Sequence, residues 1–170
     1  MERLYSPWRS AYIDTFKGKA PEKEECIFCS ALASNEDEER LMIYRGTEAF
    51  VIMNLYPYNS GHMMIVPNRH TADFSGLTES ELAECMKLLQ TAQQALRQLS
   101  APHGYNIGMN LGRSGGAGID DHLHWHIVPR WNGDTNFMPT IADIKMVSED
   151  MQRQRKELVT LFTDILGSEV

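Results

Sequence analysis

The chain has 170 residues, 42% of them apolar, and a formal net charge of −7. That length predicts one domain, 1–170, burying roughly two-thirds of its unfolded surface, and that charge excludes recruitment of nucleic acid by a basic face. No apolar run reaches the roughly 18 residues of a bilayer span, and the opening Met1-Glu2-Arg3-Leu4 lacks an apolar signal-peptide core, so a cytoplasmic protein without membrane contact is expected.

Residues 1–25 read as an irregular extension in which Trp8, Tyr12 and Phe16 alternate with charge. A short helix over 26–35 runs into the acidic turn Glu36-Asp37-Glu38-Glu39. Strands follow over 41–45, 49–54 and 63–66, punctuated by Gly46 and by the Pro57, Asn59, Ser60 and Gly61 cluster. Thr78-Glu79-Ser80-Glu81 fits a capping box, and Leu82, Met86, Leu89, Leu96 and Leu99 keep helical spacing to about Ser100. Cys85 lies on that stripe and reads as a packing residue. A strand over 105–111, a glycine-rich loop over 112–121 and a strand over 122–129 come next. A last helix spans about 148–167, with Glu149 and Asp150 at its positive end and Met151, Leu158, Leu161, Phe162 and Ile165 as its apolar stripe. Strands interrupted by one long helix predict an α+β domain on a mostly antiparallel sheet, with its core over about 26–131.

The densest chemistry is His122-Leu123-His124-Trp125-His126, which holds three of the six histidines within five residues. In a strand the three imidazoles share one face, roughly 6.5–7 Å apart, while Leu123, Trp125 and Ile127 enter a core on the other. Such a row supports nucleophilic attack on phosphorus by one neutral imidazole, with a flanking ring serving the phosphate or the leaving oxygen. Metal ligation is the other reading, although no second cluster of ligands accompanies the row. The preceding Asn110-Leu111-Gly112-Arg113-Ser114-Gly115-Gly116-Ala117-Gly118 has glycines that allow backbone amides to approach an anion. Cys26-Ile27-Phe28-Cys29 is either a redox pair or half of a metal site. The βαβ setting of a redox motif is missing.

His122 through Val128 resembles the signature of the histidine triad (HIT) family of nucleotide hydrolases and transferases, His-φ-His-φ-His-φ-φ with φ apolar. Phe50 to Asn54 followed by Gly61 to His70 is similar to the paired strands of that family. The resemblance implies an α+β HIT-like fold, about five antiparallel strands with one long helix and a C-terminal helix, and a homodimer. It implies that His124 is the nucleophile that becomes nucleotidylated, that His126 contacts the scissile phosphate and leaving group, and that His122 orients the site. Asn54 matches a ribose-binding position, and His62 a position behind the active site. Pro7-Trp8-Arg9, Asn110 to Arg113, Pro129-Arg130-Trp131, Gly133-Asp134 and Asn136-Phe137 are similar to a branch containing diadenosine tetraphosphate phosphorylases. There Asn110, Ala117, Gly118 and Trp131 border the nucleotide. Where family hydrolases carry Gln-Ser or Gln-Thr, this chain has Gly118-Ile119, which leaves room for phosphate as the second nucleophile. Some bacterial members complete a structural zinc site with residues matching His70 and His122, so Cys26, Cys29, His70 and His122 are the implied ligands. Magnesium is expected only as a companion of the polyphosphate. The expected activity is cleavage of diadenosine polyphosphates. The alternatives are a nucleoside phosphoramidate hydrolase, an adenine-nucleotide-binding module and a zinc hydrolase using the triad as ligands.

Overall fold

A computed structural model describes residues 26–134 and 150–168. The readings on Trp8, Tyr12, Phe16, Pro7-Trp8-Arg9, Asn136-Phe137, Ser148 and Glu149 lie outside them. Among the described residues three helices, α1 (Ile27–Ala33), α2 (Glu79–Ser100) and α3 (Met151–Gly167), accompany five strands: β1 (Met42–Arg45), β2 (Ala49–Met53), β3 (Met63–Pro67), β4 (Gly104–Met109) and β5 (Trp125–Arg130). The strands form one antiparallel sheet in the order β1-β2-β3-β5-β4. The long helix α2 therefore carries the chain from β3 to the far edge, and β5 returns into the gap. This is the α+β architecture expected.

Both faces of the sheet are covered, which is why β2 and β3 are buried at all five positions. Helices α2 and α3 cover one face. Val51, Met63, Ile65, Trp125 and Ile127 meet Leu88, Ala92, Leu96, Leu158 and Phe162 there. A second cluster lies on the opposite face, where Phe28 and Ala31 of α1 join Met42, Phe50, Ile52, Met64 and Val66. The histidine rings share that second face, since His126 pairs with Met64 across β3 and with Gly108 across β4.

Local signals account for the boundaries. Thr78 accepts from the Glu81 N–H, and the Glu81 carboxylate accepts from the Thr78 N–H, closing the capping box. The same carboxylate receives Arg69 at 2.8 Å through two nitrogens. That guanidinium, with the Thr78 amide, holds its pKa down at about 2. Asp150 caps α3 by accepting from the Gln152 and Arg153 amides. Met86 departs from expectation: it is 42% exposed, because position 86 turns past the stripe defined by Cys85, Leu89 and Leu96. Cys85 is buried as read, and desolvation pushes its thiol up to about 12.

The expected histidine strand begins late. Regular pairing starts only at Trp125, so His122 and His124 precede the ladder. Leu123 instead donates its backbone N–H to the Thr71 carbonyl at 2.8 Å. Side-chain alternation nevertheless runs through the irregular segment. Leu123, Trp125 and Ile127 all enter the helix-covered core, and the three histidines face the other way.

Candidate functional site

The trio occupies two chemical settings. His122 is fully buried, and its Nε2 lies 2.9 Å from the Pro67 carbonyl at the end of β3. A carbonyl only accepts, so Nε2 carries the proton and Nδ1 keeps its lone pair. That Nδ1 faces Cys26 Sγ at 3.2 Å and Cys29 Sγ at 3.7 Å. His70 Nδ1 lies 3.3 Å from Cys29 Sγ. One ligand atom from each of Cys26, Cys29, His70 and His122 falls within 4.8 Å of the others. Two sulfurs and two imidazole nitrogens at this spacing fit a closed tetrahedral zinc centre. The tautomer of His122 is the one a metal requires, and the Asp121 carboxylate stands 3.8 Å from the outer nitrogen of His70.

His124 turns its Nδ1 toward the His122 carbonyl at 2.9 Å. By the same logic Nδ1–H donates, and Nε2 is left with an in-plane lone pair. Phe28 lies against this ring at 5.1 Å and against the His122 ring at 5.4 Å, between centroids. Burial lowers the pKa of both histidines, so His124 is neutral and nucleophilic at neutral pH.

His126 has the opposite polarity, fixed by a chain of three groups. The Tyr58 backbone N–H donates to His62 Nδ1 at 3.0 Å. His62 Nε2 then carries the proton and donates to His126 Nδ1 at 3.0 Å. This leaves His126 with its proton on Nε2. Desolvation, then the neighbouring His124, lower its pKa to about 4. The two rings stand 4.8 Å apart, nearly perpendicular. One offers a lone pair and the other an N–H hydrogen-bond donor, a pairing that suits a displacement at phosphorus.

The other predicted residues divide. Asn54 approaches His62 Nδ1 at 3.3 Å with its amide nitrogen and accepts from the Tyr56 amide, so it braces the relay. Asn110 donates to the Gly116 carbonyl and thereby ties down the glycine-rich loop. Ala117 and Gly118 lie on the return of that loop, before Ile119 packs against the second core. Gly112 and Gly116 adopt positive φ there. The amides of Gly115, Gly116 and Ala117 already donate to Gly112 and Arg113 carbonyls, so they do not form the open anion cradle that glycine content suggested. Trp131 is not brought to the trio. Its indole N–H donates to the Ser100 carbonyl at the end of α2, because residue 131 keeps the parity of Trp125 and Ile127. The roles of Phe28, Tyr58 and Pro67 were not read from sequence. Tyr58 and Pro67 reach the histidines through backbone atoms, which carry no sequence signal, and Phe28 lies between the two cysteines.

Fold and site together define a protein with a row of histidines on one sheet face and, beside it, a sulfur–nitrogen cluster that could hold a metal. The chain belongs to the HIT domain family, whose pattern matches residues 35–133. It is 38% identical over 167 residues, 94% of this chain and 84% of the relative, to a protein of Mycobacterium tuberculosis named AP-4-A phosphorylase. An uncharacterized HIT-like protein of Methanocaldococcus jannaschii is 32% identical over 125 residues, 74% of this chain and 93% of that one. Among solved structures, a zinc-bound histidine triad family protein from Mycobacterium smegmatis superposes with a TM-score of 0.67 at 23% identity, covering 85% of this chain and 97% of its own. A hypothetical histidine triad nucleotide-binding protein from Sulfolobus tokodaii gives 0.63 at 26%, covering 84% and 93%.

Proposed function

We propose that this protein cleaves dinucleoside polyphosphates of the diadenosine tetraphosphate kind through a nucleotidyl-His124 intermediate. The observation that carries the reading is the opposed tautomers of His124 and His126. His124 Nε2 attacks the α-phosphorus, forming a P–N bond as the P–O bond to the departing oligophosphate breaks. His126 Nε2–H donates a hydrogen bond to that oxygen, which departs as the oligophosphate anion without taking the proton, and His126 Nδ1 stays hydrogen-bonded to His62. In the second step an oxygen nucleophile attacks the same phosphorus, the P–N bond breaks with its electron pair returning to His124 Nε2, and any proton on the nucleophile passes to solvent.

Inorganic phosphate is our choice for that nucleophile. A relative at 38% identity bears the name AP-4-A phosphorylase, and Gly118-Ile119 supplies neither amide nor hydroxyl side chain to orient water. The nucleotide is assigned to Asn54, His62, Asn110, Ala117 and Gly118. Zinc on Cys26, Cys29, His70 and His122 would fix α1 and the His122 ring, and four protein ligands leave it no position for substrate. We extend the reading to a cytoplasmic homodimer, supported by the edge position of β4 and by the 53% exposure of Ile107 on it. The deciding test is incubation with diadenosine tetraphosphate with and without inorganic phosphate. Phosphate-dependent release of ADP beside ATP is expected, whereas AMP beside ATP regardless of phosphate shows that water is the nucleophile.

A further inference from the structure

Beyond His126 the histidine face of the sheet continues as a groove. Two adjoining cavities of about 260 and 230 Å³ share Tyr58, Asn106 and Val128, and the second reaches His126 and Gly108. Arg130 closes the far end of the first. His126, Val128 and Arg130 are alternate residues of β5, so the groove extends roughly 13 Å along that strand. Gly108, paired with His126, leaves its floor open: a Cβ built there meets nothing within 4 Å. At the mouth the Tyr58 ring is 55% exposed and lies 4.8 Å from His62 and 5.9 Å from His126, tilted by 31° and 38°.

In-line displacement places the departing oxygen opposite the attacking atom. With His124 as nucleophile and His126 at the leaving oxygen, departure runs from residue 124 toward 126 and 128, into this groove. We propose that the groove is the leaving-group subsite, and that Tyr58 is the platform on which the base of the departing nucleotide stacks. An aromatic face accepts any base, so Tyr58 selects for the presence of a distal nucleoside and tolerates its identity. The inference rests on the reading given under Proposed function and adds a specificity-determining residue to it.

The test compares two substrates with the same adenylyl group and the same oligophosphate, diadenosine tetraphosphate and adenosine 5′-tetraphosphate, which lacks the distal nucleoside. Loss of a stacked base is worth roughly ten-fold or more. Tyr58→Leu is therefore expected to cut the ratio of the two kcat/KM values by about ten-fold, chiefly through KM for the dinucleotide, while Tyr58→Phe preserves the ratio. Gly108→Ile, which fills the groove from the opposite strand, is expected to lower the same ratio without shifting Tm. The proposal is overturned if Tyr58→Leu leaves the ratio unchanged, or if both substrates slow in proportion, since that marks Tyr58 as a support for His126 alone. A wild type that cleaves both compounds with a ratio indifferent to Tyr58 removes the subsite only. One that cleaves neither removes the reaction and the subsite together.

Discussion

His62 is the group on which the site's polarity turns. Two substitutions separate its hydrogen-bonding role from its bulk. Leucine fills comparable space but leaves the Tyr58 N–H without its acceptor and His126 Nδ1 without its donor, both now at 3.0 Å. Each unsatisfied group in this buried setting costs about 1–3 kcal/mol, so His62→Leu should lose about 2–6 kcal/mol of stability. It should also free the His126 ring to take either tautomer. A donor with its proton on the wrong nitrogen does not reach the leaving oxygen, and one oriented donor of this kind is worth roughly 10²–10³ in rate. Glutamine has a carbonyl oxygen and an amide nitrogen at nearly the separation of the two imidazole nitrogens. His62→Gln can therefore accept from Tyr58 and donate to His126, and should keep most of kcat. The assay is single-turnover cleavage of diadenosine tetraphosphate, with chemical denaturation alongside. Equal loss in the two variants, or a leucine variant with wild-type kcat, refutes the relay.

Four further outcomes follow from the same geometry. His124→Ala should abolish turnover and the acid-labile nucleotidyl adduct while retaining nucleotide binding, which calorimetry with an adenine nucleotide checks. His126 sits near pKa 4 in the fold against about 6.5 when unfolded. The unfolded chain thus binds the extra proton between those values, and stability falls as pH drops from 6.5 to 4, by up to about 3 kcal/mol; denaturation at pH 7 and pH 5 should show a smaller drop for His126→Asn. Gly61→Ala combines a φ of 77° with a Cβ 2.9 Å from Leu96 Cδ2 in the core, so it should destabilise by about 2–4 kcal/mol and lower Tm by about 2–4 °C per kcal/mol. Metal analysis should find one zinc per chain, lost in Cys26→Ser/Cys29→Ser together with a fall in Tm; unchanged metal content would move the ion elsewhere.

The sequence was most legible where a period or a cap is strong. The capping box at Thr78, the apolar stripe of α3 and the alternation at Leu123, Trp125 and Ile127 each follow from one local rule, and each is observed. Met86 misled because a leucine-like residue one place off a stripe still fits a loose helical template. The late start of β5 was hidden because alternation persists when a segment is extended but unpaired. The tautomers were beyond reach of the sequence, since they depend on backbone carbonyls of His122 and Pro67 and on the amide of Tyr58, atoms every residue possesses. The glycine-rich loop shows the converse. Its composition was read as open amides, but glycines at positive φ let the chain fold onto itself and use three of those amides internally.

The placement of α1 explains why the Cys26, Cys29, His70 and His122 cluster adjoins the histidine row. Seven residues are too few for a helix to persist in water unaided, and α1 is held at both ends by side chains from elsewhere. At its C-terminal end Arg45 donates to the carbonyls of Ala31, Leu32 and Ser34 and pairs with Asp37 at 2.6 Å. At its N-terminal end Cys26 and Cys29 meet His70 and His122. Between the two cysteines Phe28 projects inward, 1% exposed, onto the rings of His122 and His124. Among the described residues, the face of the sheet that carries the histidines has no long helix over it. A short helix clamped at its ends lies there, and the same residues that clamp it bring Phe28 onto His124. Burial is the first cause of the lowered pKa values of His122 and His124, so the ring that keeps His124 dry also helps to keep it neutral. On the proposed reaction, loosening the cysteine end is therefore expected to slow turnover without changing His124 or His126.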